Sequence, residues 1–144
     1  MYRGMMQKFR NCGIQLPENA KILEVGSGHG DFLEFLKKKG LDVEGVDMNP
    51  KGEGITKAKI EKLPYKDESF DCVISKHVFD GREYFQSPRN QQAMWREIAR
   101  VLKASGVYYA EEIIFEPIDG FELVPDPRDW RAASVYKKLP MNVA

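Results

Sequence analysis

Three glycines set two residues apart, between an apolar run and an amphipathic stretch, constrain this fold more than any other feature: KILEVGSGHGDFLEFLKKKG, residues 21–40. KILEV (21–25) follows the loop signal Pro17-Glu18-Asn19 and reads as a β-strand. GDFLEFLKKKG puts Phe32, Leu33, Phe35 and Leu36 on one broad side. It ends in lysines, which suit the partial negative charge of a helix C-terminus, and stops at Gly40. DVEGVD (42–47) alternates apolar and polar residues, reads as a second strand, and closes in the Pro- and Gly-containing MNPKGEG. Strand, glycine turn, helix and strand form the crossover unit of a parallel sheet, so the expected class is α/β.

The remaining chain extends that pattern. A weaker strand is expected around residues 56–60, YKDES reads as a turn, and FDCVISKHVF (70–79) holds an apolar strand ending near Ser75. Ser87-Pro88 offers an N-cap and a first-turn proline, after which Met94, Ile98, Val101 and Leu102 recur at helical spacing until KASG. VYYAEEIIF (107–115) is the last strong strand. Beyond Pro117, Pro125, Pro127 and Pro140 punctuate a stretch of little periodicity, expected to be irregular. With 144 residues, one domain is expected: an N-terminal segment (1–19), a core (20–116) and a tail (117–144).

Bulk properties exclude several classes. Hydrophobic residues make up 42% and charged ones 31%, a globular mixture, and no apolar run approaches the roughly 20 residues a membrane span needs. The N-terminus has no continuous apolar segment or cleavage site, so a cytoplasmic protein is expected. Cys12 and Cys72 lie too far apart for a zinc spacing and form no disulfide framework. Lys and Arg number 22 against 22 Asp and Glu, so no global field gathers a polyanion.

A loop joining a parallel strand to its helix lies at the carboxyl edge of the sheet, where open α/β folds bind ligands. Gly26, Gly28 and Gly30 permit positive φ and close approach to the backbone, which serves a tight turn as well as a ligand. A dinucleotide fingerprint would place its third glycine at position 31, where this chain has Asp31. Glu24, two residues before the first glycine, repels a pyrophosphate and attracts a cation.

ILEVGSGHGDF resembles the first motif of class I methyltransferases that use S-adenosylmethionine, a ligand with sulfonium and ammonium groups. The resemblance continues in register over roughly residues 20–112, through VEGVDMNP, IEKLPYKDESFDCVISKHVF and EIARVLKASGVYYAEE. It implies a Rossmann-like three-layer sandwich with S-adenosyl-L-methionine as cofactor, contacted by Glu24, Gly26, Ser27, Gly28 and Gly30. It further implies that Asp47 accepts hydrogen bonds from both ribose hydroxyls, which its two oxygens suit, and that Met48 packs on adenine. Ser75 would offer its backbone carbonyl to the ammonium group, and His77, two residues on, is the candidate general base. Tyr65, Phe79, Tyr84 and Phe85 are candidates to line an acceptor pocket.

Three departures from the family pattern shape the expectation. Lys59 stands where family members commonly carry an Asp that contacts the adenine amino group, so adenine recognition falls to backbone groups and to packing by Met48 and Ile60. Too few residues separate Asp47 from the third strand for a helical crossover. Little chain is left for the usual antiparallel hairpin. The sheet is therefore expected to be mostly parallel and reduced to about five strands in order 3-2-1-4-5, against seven in the family, with an exposed edge open to a second copy or a partner chain.

The resemblance implies methyl transfer to an acceptor chosen by segments outside the common sheet. Small molecules are favoured over nucleic acid, because SKHVF stands where methylators of amide and amine nitrogens carry N-P-P-Y, which disfavours adenine, cytosine or glutamine nitrogens. Rival readings are a cofactor-binding chain that does not catalyse by itself, or one needing a partner, and, more distantly, an NAD(P)-dependent oxidoreductase. No metal site is expected.

Overall fold

A computed structural model describes residues 2–76, 87–111, 120–126 and 133–140. Its elements are α1 (Tyr2–Asn11), β1 (Lys21–Val25), α2 (Asp31–Lys38), β2 (Asp42–Asp47), β3 (Ile55–Lys57), β4 (Phe70–Lys76), α3 (Pro88–Val101), β5 (Leu102–Glu111), β6 (Phe121–Val124) and β7 (Ser134–Lys138). The sheet order is β3-β2-β1-β4-β5-β7-β6. The first five strands are parallel neighbours, whereas β7 runs antiparallel to both β5 and β6.

The expected α/β class and the order of the first five strands hold, but among the described residues the sheet has seven strands rather than about five. The tail supplies the other two. Val135 and Tyr136 are buried beside β5, and Phe121 is buried on β6. Pro125 follows β6 and Pro140 follows β7, so these prolines bound the strands instead of forbidding them. The crossover after β2 is indeed short: residues 48–54 join two parallel strands with no helix between them.

Side-chain alternation divides the core into two layers. On one face, Ile22, Val43, Cys72, Ile74, Val107 and Tyr109 meet Met5 and Phe9 of α1 and Leu33 and Leu36 of α2. On the other, Leu23, Val46, Val73 and Tyr108 meet Met94, Trp95, Ile98 and Val101 of α3. Helix α1 was not foreseen, although Met5 and Phe9, four residues apart, are its buried stripe. A buried ion pair of Lys8 with Asp126 (3.3 Å), which also accepts from Asn11, fastens α1 to the segment after β6. Among the described residues, no helix is long and apolar enough to cross a membrane.

KASG does not trail the helix as a separate loop. Helix α3 ends at Val101 and β5 begins at Leu102. The parallel register then jumps from Phe70↔Leu102 to Cys72↔Val107, leaving residues 103–106 as a bulge with Ser105 at φ 63°.

The loop before β4 is pinned by one arginine. Arg100 donates to both Glu97 carboxylate oxygens (2.7 and 3.0 Å), to the carbonyls of Leu63 (3.0 Å) and Tyr65 (2.7 Å), and to Asp67 (2.9 Å). Glu97 accepts in turn from the Leu63 amide at 2.7 Å. Arg100→Met strands these acceptors, and the urea midpoint is expected to fall by the equivalent of about 1–3 kcal/mol; an unchanged midpoint would show the loop holds without it.

Candidate functional site

Glu24 and Asp47 both lie at the carboxyl edge, one residue from the end of β1 and at the end of β2. Between them runs the glycine loop. Gly26 and Ser27 donate their amides to the Val46 carbonyl at 2.9 and 3.0 Å, so the chain turns across the end of β2. Gly26, Gly28 and Gly30 have φ of 76°, 56° and 85°, conformations that disfavour a side chain. Gly30 caps the start of α2.

The Asp47 carboxylate is oriented by the backbone. One oxygen accepts from the Gly28 amide and the other from the Asn49 amide, each at 2.8 Å. Each oxygen keeps lone-pair capacity for a further donor, as two vicinal hydroxyls would require. Met48 is half-buried beside it, and Ile60 is buried in the core layer that contains Val46 and Leu63.

Glu24 is the electrostatic centre. Its side chain is 4% exposed, and its Oε1 is buried with no hydrogen-bond partner. Burial raises its pKa from 4.5 to about 7; Asp47 adds to the rise, while a Ser27 hydrogen bond and the Lys76 ammonium oppose it. A buried carboxylate oxygen without a donor is a seat for a cationic donor.

Ser75 lies in the same strand register as Val25. Its hydroxyl is fully buried and shared with the Tyr108 hydroxyl at 2.5 Å, so the side chain is committed to the core and its backbone alone is left for a ligand. Tyr65 packs edge-on against Phe70 at 4.9 Å. Asp71, in β4, accepts from the Lys21 amide (2.9 Å) and pairs with Lys103 (3.4 Å). His77, Phe79, Tyr84 and Phe85 lie outside the described residues.

Two further glycines shape the site. A Cβ on Gly45 would come within 2.5 Å of the Ser27 Oγ and 2.8 Å of Leu33, and one on Gly52 would collide with the His29 carbonyl. Both let the glycine loop and the loop after β2 interlock, with the Lys51 amide donating to the Gly28 carbonyl at 3.0 Å. Local sequence reading missed them, because the need arises across loops.

Comparison with known proteins agrees with this geometry. A family model described as a methyltransferase domain matches residues 23–110. Human EEF1A lysine methyltransferase 2 is 27% identical over 139 residues, covering 78% of this chain and 58% of its own. Demethylmenaquinone methyltransferase of Thermotoga maritima is 30% identical over 120 residues, covering 72% of this chain and 49% of its own. The chain thus spans about half the length of the curated relatives it matches. Among solved structures, the Burkholderia thailandensis 1,6-didemethyltoxoflavin-N1-methyltransferase with bound 1,6-didemethyltoxoflavin and S-adenosylhomocysteine aligns at a TM-score of 0.62 with 15% identity, covering 96% of this chain and 77% of that one. Strand order, glycine loop and family match agree: the chain belongs to the methyltransferase domain family, in its class I, S-adenosylmethionine-dependent branch.

Proposed function

We propose that this chain binds S-adenosylmethionine at the carboxyl edge of β1, β2 and β4 and transfers its methyl group to an acceptor, with a small molecule favoured over nucleic acid. The observation that carries the reading is the sealed, donorless Oε1 of Glu24. Such an oxygen fits an ammonium group, and the two anchored oxygens of Asp47 fit a pair of ribose hydroxyls. Gly26, Ser27, Gly28 and Gly30 let the ligand lie against the backbone, Met48 and Ile60 provide apolar packing for adenine, and the Ser75 carbonyl serves as a further acceptor.

When bound, the cofactor supplies an electrophilic methyl group on a sulfonium that leaves readily. What the chain must provide is alignment, which in well-oriented systems supplies much of the acceleration. A base is optional, and His77, two residues past Ser75, is the candidate. The chain would act in the cytoplasm, as a single domain, with the sheet edges at β3 and β6 available to a second copy or partner.

Calorimetry with S-adenosylhomocysteine, paired with an acceptor screen, tests the reading. Binding with turnover supports it. Binding without turnover on any acceptor favours a cofactor-binding chain that needs a partner. No binding sinks both, and tight NAD binding would revive the oxidoreductase. Asp47→Ala is expected to weaken binding by about 1.5–3 kcal/mol, as for hydrogen bonds to a charged group. Unchanged affinity would show the ribose site is misplaced.

A further inference from the structure

On the sheet face covered by α1 and α2, charged side chains stand at the carboxyl ends of three adjacent strands: Asp47 on β2, Glu24 on β1 and Lys76 on β4. Alternation fixes their side, since each continues at even spacing from a core member of that face, Val43, Ile22 and Ile74. Register fixes their height. Glu24 pairs with Gly45 on one side and Ile74 on the other. Asp47 and Lys76 therefore each stand one pleat, roughly 7 Å, beyond Glu24, with two strand spacings, about 10 Å, between them. Glu24 is recessed at the middle, flanked by an acid and by a cation.

The glycine loop leaves the cationic flank open. The Gly26 and Ser27 amides bond the Val46 carbonyl, so the chain leaving β1 crosses the end of β2 and not that of β4. Lys76 is exposed, and among the described residues it makes no ion pair. Glu111, its cross-strand neighbour, does not take it up: the buried Oε2 of that carboxylate has no hydrogen-bond partner. Lys76 is nonetheless close enough to Glu24 to oppose the rise in its pKa.

The order of these residues along the edge matches the order of groups on the cofactor. From the ribose the ligand runs through sulfur to one carbon that carries both the ammonium and the carboxylate. The ammonium nitrogen and the carboxylate carbon are two bonds, about 2.5 Å, apart. With its diol on Asp47 and its ammonium on Glu24, the ligand carries its carboxylate past Glu24 toward β4. We propose that Lys76 binds the cofactor's carboxylate, so that the site reads the zwitterion at its amino-acid end; this rests on the cofactor reading just given. The sulfonium is a third charge, lying between ribose and zwitterion and lost on methyl transfer, whereas the carboxylate is the ligand's sole anionic group. An ammonium arriving without a carboxylate meets repulsion from Lys76, so the same residue selects against decarboxylated forms. Holding diol, ammonium and carboxylate together fixes the sulfur arm from both sides, which is the alignment that methyl transfer needs.

The test measures by calorimetry the affinity of the wild-type chain and of Lys76→Met for S-adenosylhomocysteine and for its decarboxylated form, which keeps adenosine, sulfur and ammonium. Both ligands are neutral thioethers, so the sulfonium drops out of the comparison. The wild-type chain is expected to prefer the carboxylate-bearing ligand by about 10-fold, between the worth of an exposed ion pair and that of a charge-assisted hydrogen bond. Lys76→Met should bind S-adenosylhomocysteine about 5- to 10-fold more weakly. It should bind the decarboxylated form no more weakly than the wild type does, because the substitution also removes a repulsion. A merely structural role would weaken both ligands alike. A preference that survives in Lys76→Met, an equal loss for both ligands, or a wild-type chain that binds the two equally would each overturn the proposal. Failure of the wild-type chain to bind either ligand would instead overturn the cofactor reading beneath it.

Discussion

Glu24→Gln is expected to make the protein more stable at pH 8 and to weaken its hold on the cofactor by about 10- to 150-fold. The native state keeps the Glu24 proton up to about pH 7, whereas an unfolded chain releases it near 4.5. Between those values the folded state binds more protons, so stability falls as pH rises through the window and then levels off. The full window corresponds to about 3 kcal/mol, of which glutamine, uncharged at every pH, should recover roughly 1–3 kcal/mol. Urea midpoints for both chains should therefore diverge at pH 8 and converge near pH 4.5. Affinity for S-adenosylhomocysteine should drop by about 1.5–3 kcal/mol at pH 8, because a charge-assisted contact is replaced by a neutral one. In the wild-type chain, affinity should weaken as pH falls below 7, since Glu24 must then give up a proton to receive the ammonium. Equal midpoints at pH 8 would mean that Glu24 is not strained, and unchanged affinity that it is not a ligand.

Trp95→Ala should produce the largest loss of stability, about 3–5 kcal/mol, the usual cost of emptying a buried aromatic site. Trp95 is 2% exposed, with ring centroids 5.0 Å from Tyr136, 5.2 Å from Phe121 and 5.3 Å from Tyr108. Those rings come from α3, β5, β6 and β7, so one side chain joins the helix to the antiparallel hairpin. Edge-on contacts each add to the buried area. Thermal and urea unfolding would measure the change, and a loss below about 1 kcal/mol would show that the hairpin docks without this helix.

How much of this was legible depended on whether the cause was local. The β1, glycine loop, α2, β2 unit could be read directly, because periodicity and glycine spacing are local properties, and the strand-end positions of Glu24 and Asp47 followed. The missing crossover helix was legible from length alone. The hairpin was not, because Phe121, Val135 and Tyr136 are explained by distant partners on α3 and β5, and the prolines between them look like disorder when read in sequence. Gly45 and Gly52 gave no local sign for the same reason. Arg100 and Glu97 sat within a recognisable helix motif, but their reach to residues 63–67 depends on the tertiary fold.

The order β5-β7-β6 also sets a timetable. Among the described residues, strand β6 pairs only with β7, which follows it in the chain at residues 134–138. During translation the parallel part can assemble first, leaving the β5 edge open and Phe121 without its β7 neighbour. The last strand to emerge must slide in between two segments already made. Completion of the sheet is therefore a late event, because β7 must insert between two strands that precede it in the chain.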